Sequence, residues 1–164
     1  MTNTFKALAA AALLSLSALP ALAGEAKLEI TDAHVLESMR MAKAGAGYVQ
    51  ITNTGETDEK LIGAESDLGR TVLHTTEFSD DGVARMVHLE DGIEIPAGET
   101  VTLERGGLHI MFLGLKAPFE REETYPVTLI FETAGPMTVD FSVMPRTEGS
   151  GHGNHSGHGE AKTN

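Results

Sequence analysis

From Gly24 onward the chain repeats one pattern: a short run rich in Val, Ile, Leu, Thr and Phe, then a turn. The runs predict strands at Lys27–Thr31, Gly47–Asn53, Lys60–Ser66, Thr71–Phe78, Ala84–Glu90, Thr100–Glu104, Leu108–Leu113, Val127–Glu132 and Met137–Met144. The breaks between them carry turn chemistry: Asn53-Thr54-Gly55, Asp80-Asp81-Gly82, Asp91-Gly92, Pro96-Ala97-Gly98, Gly106-Gly107 and Gly135-Pro136. No segment keeps a helical apolar period over three turns, so no helix is predicted. Alternation assigns faces. Val139, Phe141 and Val143 share one side of their strand, and Thr138, Asp140 and Ser142 the other. Many short strands at this spacing predict an all-β fold, a sandwich or a barrel.

The two ends depart from the pattern. Lys6 followed by the uncharged apolar run Ala7–Leu19, then Ala21-Leu22-Ala23 after Pro20, has the form of an export signal cleaved after Ala23. The run is too short for a stable membrane span, and the chain offers no cysteine for lipidation, so the mature protein is expected without a span. The expected destination is the periplasm or another extracytoplasmic space. From Arg146 apolar residues almost vanish, and Gly, Ser, His and Asn dominate. Such a segment cannot bury enough surface to offset its ordering entropy. The expected organisation is a signal peptide over 1–23, a β-sandwich domain over 24–145 and a flexible His/Gly-rich tail over 146–164.

Composition narrows the chemistry. The 164 residues carry a net charge of −12, which disfavours nucleic acid and anionic membrane surfaces as partners. The absence of cysteine excludes disulfides, thiolate zinc sites, iron–sulfur clusters, thiol nucleophiles and a blue-copper centre. No Ser/His/Asp spacing, paired-carboxylate motif or phosphate-binding glycine loop is present, so no catalytic residue is assigned and an enzyme is not expected. Glu120, Glu122 and Glu123 read as a solvated turn, open to a basic partner.

What remains is seven His and seven Met. In His109-Ile110-Met111, positions i and i+2 share a strand face, so His109 and Met111 point away from Leu108, Ile110 and Phe112. Met86-Val87-His88 repeats the arrangement, and His74 lies in Val72-Leu73-His74-Thr75-Thr76. Thioether sulfur is soft and neutral and imidazole is borderline, a pairing that suits Cu(I). A single Met on a strand is ordinarily core filler, and a single His is ordinarily solvated or hydrogen-bonded. The spacing leaves both readings open.

Together these residues resemble the periplasmic PCu(A)C copper chaperones, whose signature is a His, a Met twelve residues later, then a distant His-x-Met. His74 and Met86 have that step, and His109-Ile110-Met111 supplies the His-x-Met. The interval between Met86 and His109 holds 22 residues, one more than the usual pattern, and Thr75 stands where some members have a further Met. Gly47-Tyr48-Val49-Gln50-Ile51-Thr52-Asn53, the turn Ile95-Pro96-Ala97-Gly98 and Gly106-Gly107 add to the likeness, which runs over about residues 27–145.

The resemblance implies a cupredoxin-like Greek-key β-sandwich. It also implies a Cu(I) site made of His74, Met86, His109 and Met111. The implied function is a copper chaperone, expected as a monomer, that delivers the ion to the CuA centre of cytochrome c oxidase or a related oxidase assembly factor. The partner is then the oxidase copper subunit or another copper chaperone. The alternative is a periplasmic copper-buffering or resistance protein without a specific acceptor. His88 lies outside the signature but shares the face of Met86, and is an accessory candidate. Met144, where domain meets tail, is another. His34 is expected to pack or be solvated, Met39 and Met41 to pack within their loop, and Met137 to join the core. In the tail, His152, His155 and His158 recur every third residue among glycines and form a possible secondary site for Cu(II).

Overall fold

The computed structural model describes residues 27–146. The proposed signal peptide and nearly all of the tail, including His152, His155 and His158, lie outside the described residues. Ten strands follow in order: β1 (Leu28–Leu36), β2 (Ala44–Asn53), β3 (Glu59–Glu65), β4 (Arg70–Phe78), β5 (Ala84–His88), β6 (Ile93–Ile95), β7 (Thr100–Leu103), β8 (His109–Leu113), β9 (Thr124–Phe131) and β10 (Gly135–Met144). There is no helix among the described residues.

All nine predicted strands are present, with ends shifted by a few residues. Two differences have local causes. β1 runs on to Leu36 through a register shift between Thr31 and His34, where Asp32 adopts a left-handed backbone (φ 53°). That bulge breaks the alternation and hides the strand's second half. β6 is an additional three-residue strand between Asp91-Gly92 and Pro96, too short to show a period. Gly92 (φ 81°) makes this return possible: a Cβ there would sit 2.5 Å from the Leu61 carbonyl oxygen.

The strands form one curled sheet in the order β5-β4-β8-β2-β1-β10-β9-β3-β6. β2 pairs with β8 through Ala44–Gly47, and with β7 through Val49–Thr52. β1 runs parallel to β10 and antiparallel to β2. The curl brings β3 against β4, where the Thr71 hydroxyl donates to the Ala64 carbonyl. The enclosed core holds Phe112, Phe119, Phe131 and Phe141 with Ile110, Leu129 and Val127. Phe141 and Val143 point inward while Thr138, Asp140 and Ser142 face out, as the alternation requires. Met137 packs partly buried against this core.

Two buried polar residues tie the loops down. Asn53 Nδ2 donates to the Thr57 and Ile95 carbonyls (2.8 and 3.0 Å), and its Oδ1 accepts from Gly55 N–H (3.0 Å). The Glu59 carboxylate accepts backbone N–H bonds from Lys60, Thr133 and Ala134 (2.8, 3.0 and 2.8 Å). Burial pushes the Glu59 carboxyl up, but these donors outweigh it and hold it below the usual value.

Candidate metal centre

The site lies on the face of β5-β4-β8 opposite the core. In β8, Ile110 and Phe112 enter the core, so His109 and Met111 point the other way. In β4, Leu73 enters the core, leaving Val72, His74 and Thr76 on the opposite face. Register carries that face across the strands. His74 pairs with His109 on one side and His88 on the other, Val72 pairs with Met111, and Thr76 pairs with Met86. Five soft or borderline donors therefore share one surface.

Three imidazoles form a row, His88–His74–His109. Ring centroids are 5.6 Å apart for His74–His88 and 5.9 Å for His74–His109, both edge-on. Two imidazoles sharing an ion through bonds of about 2 Å have centroids no more than roughly 6–6.5 Å apart. Each adjacent pair meets that limit. Among the described residues no three His, Asp or Glu side chains gather around one point. The row is a line rather than a cage.

His109 is only 3% exposed. Its Nδ1 lies 3.0 Å from the Gly107 carbonyl oxygen. A carbonyl can only accept, so Nδ1 carries a proton, which leaves Nε2 as the nitrogen able to act as a ligand. That Nε2 is buried and makes no hydrogen bond within the protein, and the same holds for His74 Nδ1. Leaving a buried polar atom unpaired costs about 1–3 kcal/mol. Both orphaned atoms belong to one cross-strand pair. The pKa of His74 is lowered, first by burial and then by the neighbouring His109, His88 and Arg70. The neutral ring, with one nitrogen free to act as a ligand, is thereby favoured.

The methionines approach His74 from opposite directions. Met111 is diagonal to His74 across β8, and Met86 is diagonal to it across β5. Their register partners, Val72 and Thr76, stand about 13 Å apart along β4. Diagonal neighbours remain within reach of long side chains. His74 is thus the residue to which the other four are all adjacent. Met111 is half-buried, whereas Met86, on the edge strand, is 58% exposed.

The remaining candidates lie elsewhere. His34 stacks on Tyr48 (centroids 5.4 Å) and its Nδ1 bonds the Asp32 carbonyl (2.7 Å), so it packs as expected. Met144 is exposed at the end of β10, beside a cleft also lined by His34, Tyr48 and Arg105. Met39 and Met41 do not pack within their loop: both are largely exposed, because the β1–β2 connection is tied down at Ser38, hydrogen-bonded to the Phe119 backbone, and turns its tip outward. Glu120, Glu122 and Glu123 form an exposed turn, with Glu122 at φ 67°.

Strand periodicity alone does not reveal the pairing of His74 with His88. It follows from the hairpin's symmetry, since paired positions lie equally far from the turn. His74 and His88 are each seven residues from Asp81.

Residues 28–143 match the family described as putative lipoprotein LpqE-like. A putative lipoprotein, Lxx21020, of Leifsonia xyli subsp. xyli is 38% identical over 103 residues, covering 59% of this chain and 61% of that protein. The match thus spans about three-fifths of that relative's length. Among solved structures, the copper-bound PCuAC domain from PmoF2 shares the fold, with a TM-score of 0.60 and 22% identity over 73% of this chain and 93% of that one. Apo-DR1885 from Deinococcus radiodurans is 32% identical, with a TM-score of 0.56, covering 91% of this chain and 99% of that one. Its Cu(I) form gives 29% identity and a TM-score of 0.55 over 79% and 82%. The chain belongs to the LpqE-like family, and its described domain has the all-β fold of the PCuAC copper domains.

Proposed function

We propose that this protein is an exported, non-enzymatic copper chaperone that binds Cu(I) and passes it to an acceptor. The observation that carries the reading is the pair of buried, unpartnered nitrogens, His74 Nδ1 and His109 Nε2, on cross-strand neighbours. A stable fold retains such a cost where a ligand repays it. The ion is held by His74, with His109 and Met111 on the β8 side and Met86 reaching in from β5. Two neutral imidazoles and two thioethers suit Cu(I) and discriminate against Zn²⁺. The thioethers do not titrate, and burial lowers the pKa of His74, so copper competes with few protons at the site. Copper-bound relatives with this fold support the same reading.

The acceptor in this reading is the CuA centre of cytochrome c oxidase or an oxidase assembly factor, and the place of action is the periplasm. The tail histidines His152, His155 and His158 add a weaker Cu(II) site. Competition against a chromogenic chelator tests the domain site. Met86→Ala combined with Met111→Ala should remove most Cu(I) binding with the fold intact. Wild-type Cu(I) affinity in that double variant refutes the assignment. Truncation before Gly149 should remove Cu(II) uptake and leave Cu(I) binding in place; loss of Cu(I) makes the tail part of the primary site.

A further inference from the structure

The four-residue set leaves one donor on this face unused. His88 stands directly opposite His74, its ring no farther away than that of His109. It lies two residues from Met86 on β5, the edge strand of the sheet. Its side chain is 47% exposed, and Glu90 Oε1 is 3.9 Å from its Nδ1, too far for a hydrogen bond that would commit the ring.

We propose that His74, Met86 and His88 form an outer Cu(I) position at the sheet edge, through which the ion enters and leaves the inner site. This rests on the Cu(I) reading given above. Three observations lead to it. The imidazoles lie in a line with His74 at the centre, and no three of them enclose one point. A line of this kind offers two adjoining positions, His74–His109 and His74–His88, and each meets the centroid limit for a shared ion. Exposure rises along it, from His109 at the buried end to His88 and Met86 at the edge. Met86 and His88 share one strand face, so the outer position has a thioether as well as an imidazole.

The step between positions is a ligand exchange. The bond from copper to the His88 nitrogen forms as the bond to the His109 nitrogen breaks. Met111 is released, while His74 and Met86 keep the ion throughout. Each donor offers only a lone pair, so the exchange transfers no electron and copper remains Cu(I). At the outer position only three protein donors remain, and an acceptor's ligand can attack from solvent. At the other end His109 is buried and closed to such an attack.

The test uses the full chain loaded anaerobically with one equivalent of Cu(I), mixed in a stopped-flow instrument with excess bathocuproine disulfonate. His88→Ala and His88→Gln should keep the equilibrium affinity within about threefold of wild type, yet slow release by about fivefold or more. His88→Met, which restores a soft donor, should recover the rate. Release at the wild-type rate from both His88→Ala and His88→Gln overturns the outer position and leaves the Cu(I) site standing. A larger fall in affinity makes His88 an equilibrium ligand, which also overturns the two-position path. Failure of the wild-type protein to bind Cu(I) overturns the functional reading itself. Because His88 is exposed, far-UV circular dichroism and the thermal midpoint of the metal-free variants should match wild type.

Discussion

Replacing His109 by Leu should make the metal-free protein more stable while abolishing its response to copper. His109 is buried on β8, and its Nε2 has no partner in the protein. Removing that orphaned atom recovers about 1–3 kcal/mol. The substitution also removes the Nδ1 hydrogen bond to Gly107, worth about 0.5–1.5 kcal/mol. It does not orphan the Gly107 carbonyl, because Thr76 N–H still donates to that oxygen at 3.1 Å. A buried leucine side chain adds apolar burial of its own, and a strand accepts it readily. The balance favours the variant by about 0.5–2 kcal/mol. For a domain of this size that corresponds to a rise of about 2–8 °C in Tm.

The assay is thermal and urea unfolding of wild type and variant, each with a chelator and with excess Cu(I). Saturating ligand at about 100 times Kd adds about 2.7 kcal/mol to a protein that binds it. Wild type should show such a gain and the variant little or none. The order of stability should therefore reverse: variant above wild type without copper, wild type above variant with it. His74→Leu makes an independent second trial, since His74 Nδ1 is orphaned in the same way. A metal-free His109→Leu protein destabilised by more than about 1 kcal/mol would refute the reasoning, because the orphaned nitrogen would then carry no net cost. Unreduced stabilisation of the variant by copper would refute His109 as a ligand.

Glu59→Ala should destabilise the fold by about 2–4 kcal/mol in urea unfolding, because it strips an acceptor from three backbone N–H groups; a loss below about 0.5 kcal/mol would show that water replaces the carboxylate at no cost. Gly47→Ala should cost about 1–3 kcal/mol, since its Cβ would stand 2.9 Å from Phe112 Cε2 and 3.3 Å from Phe141 Cε1, both rings buried; an unchanged urea midpoint would mean that the rings move aside freely. The metal-free protein should lose stability as pH falls from about 6.5 through the lowered pKa of His74, because the unfolded chain takes up that proton first. His74→Leu should flatten that segment of the stability–pH curve, and an equally steep curve would count against His74 as its source.

The strands were legible because each core face alternates cleanly. Val139-Asp140-Phe141-Ser142-Val143 shows it well, and all three apolar members of that run pack on or in the core. Legibility failed where a backbone irregularity interrupts the period. The bulge at Asp32 concealed the second half of β1, and with it the partnership of His34 and Tyr48. It failed again for β6, whose three residues are placed by pairing with β3 rather than by their own pattern. The shared face of His109 and Met111 followed directly from strand geometry. Its relation to His74 did not, because β4 and β8 are joined only through non-local register. Exposure was the least legible property. Nothing in a two-residue spacing separates the buried His109 from the exposed Met86, since burial depends on which strand ends the sheet.

That dependence connects the fold to the proposed chemistry. A copper site built wholly on central strands would hold its ion but hinder its departure. One built wholly on an edge strand would be open but poorly organised, since edge side chains have few neighbours to fix them. Here the central strands supply the fixed elements: the Gly107 carbonyl sets the His109 tautomer, and burial keeps His74 neutral. The edge strand supplies the exposed elements, Met86 and His88. His74 is on β4, the strand between them, and borders both groups. Retention and release of an ion can then be altered separately. Changes on β8 should act mainly on how tightly copper is held, and changes on β5 mainly on how fast it leaves.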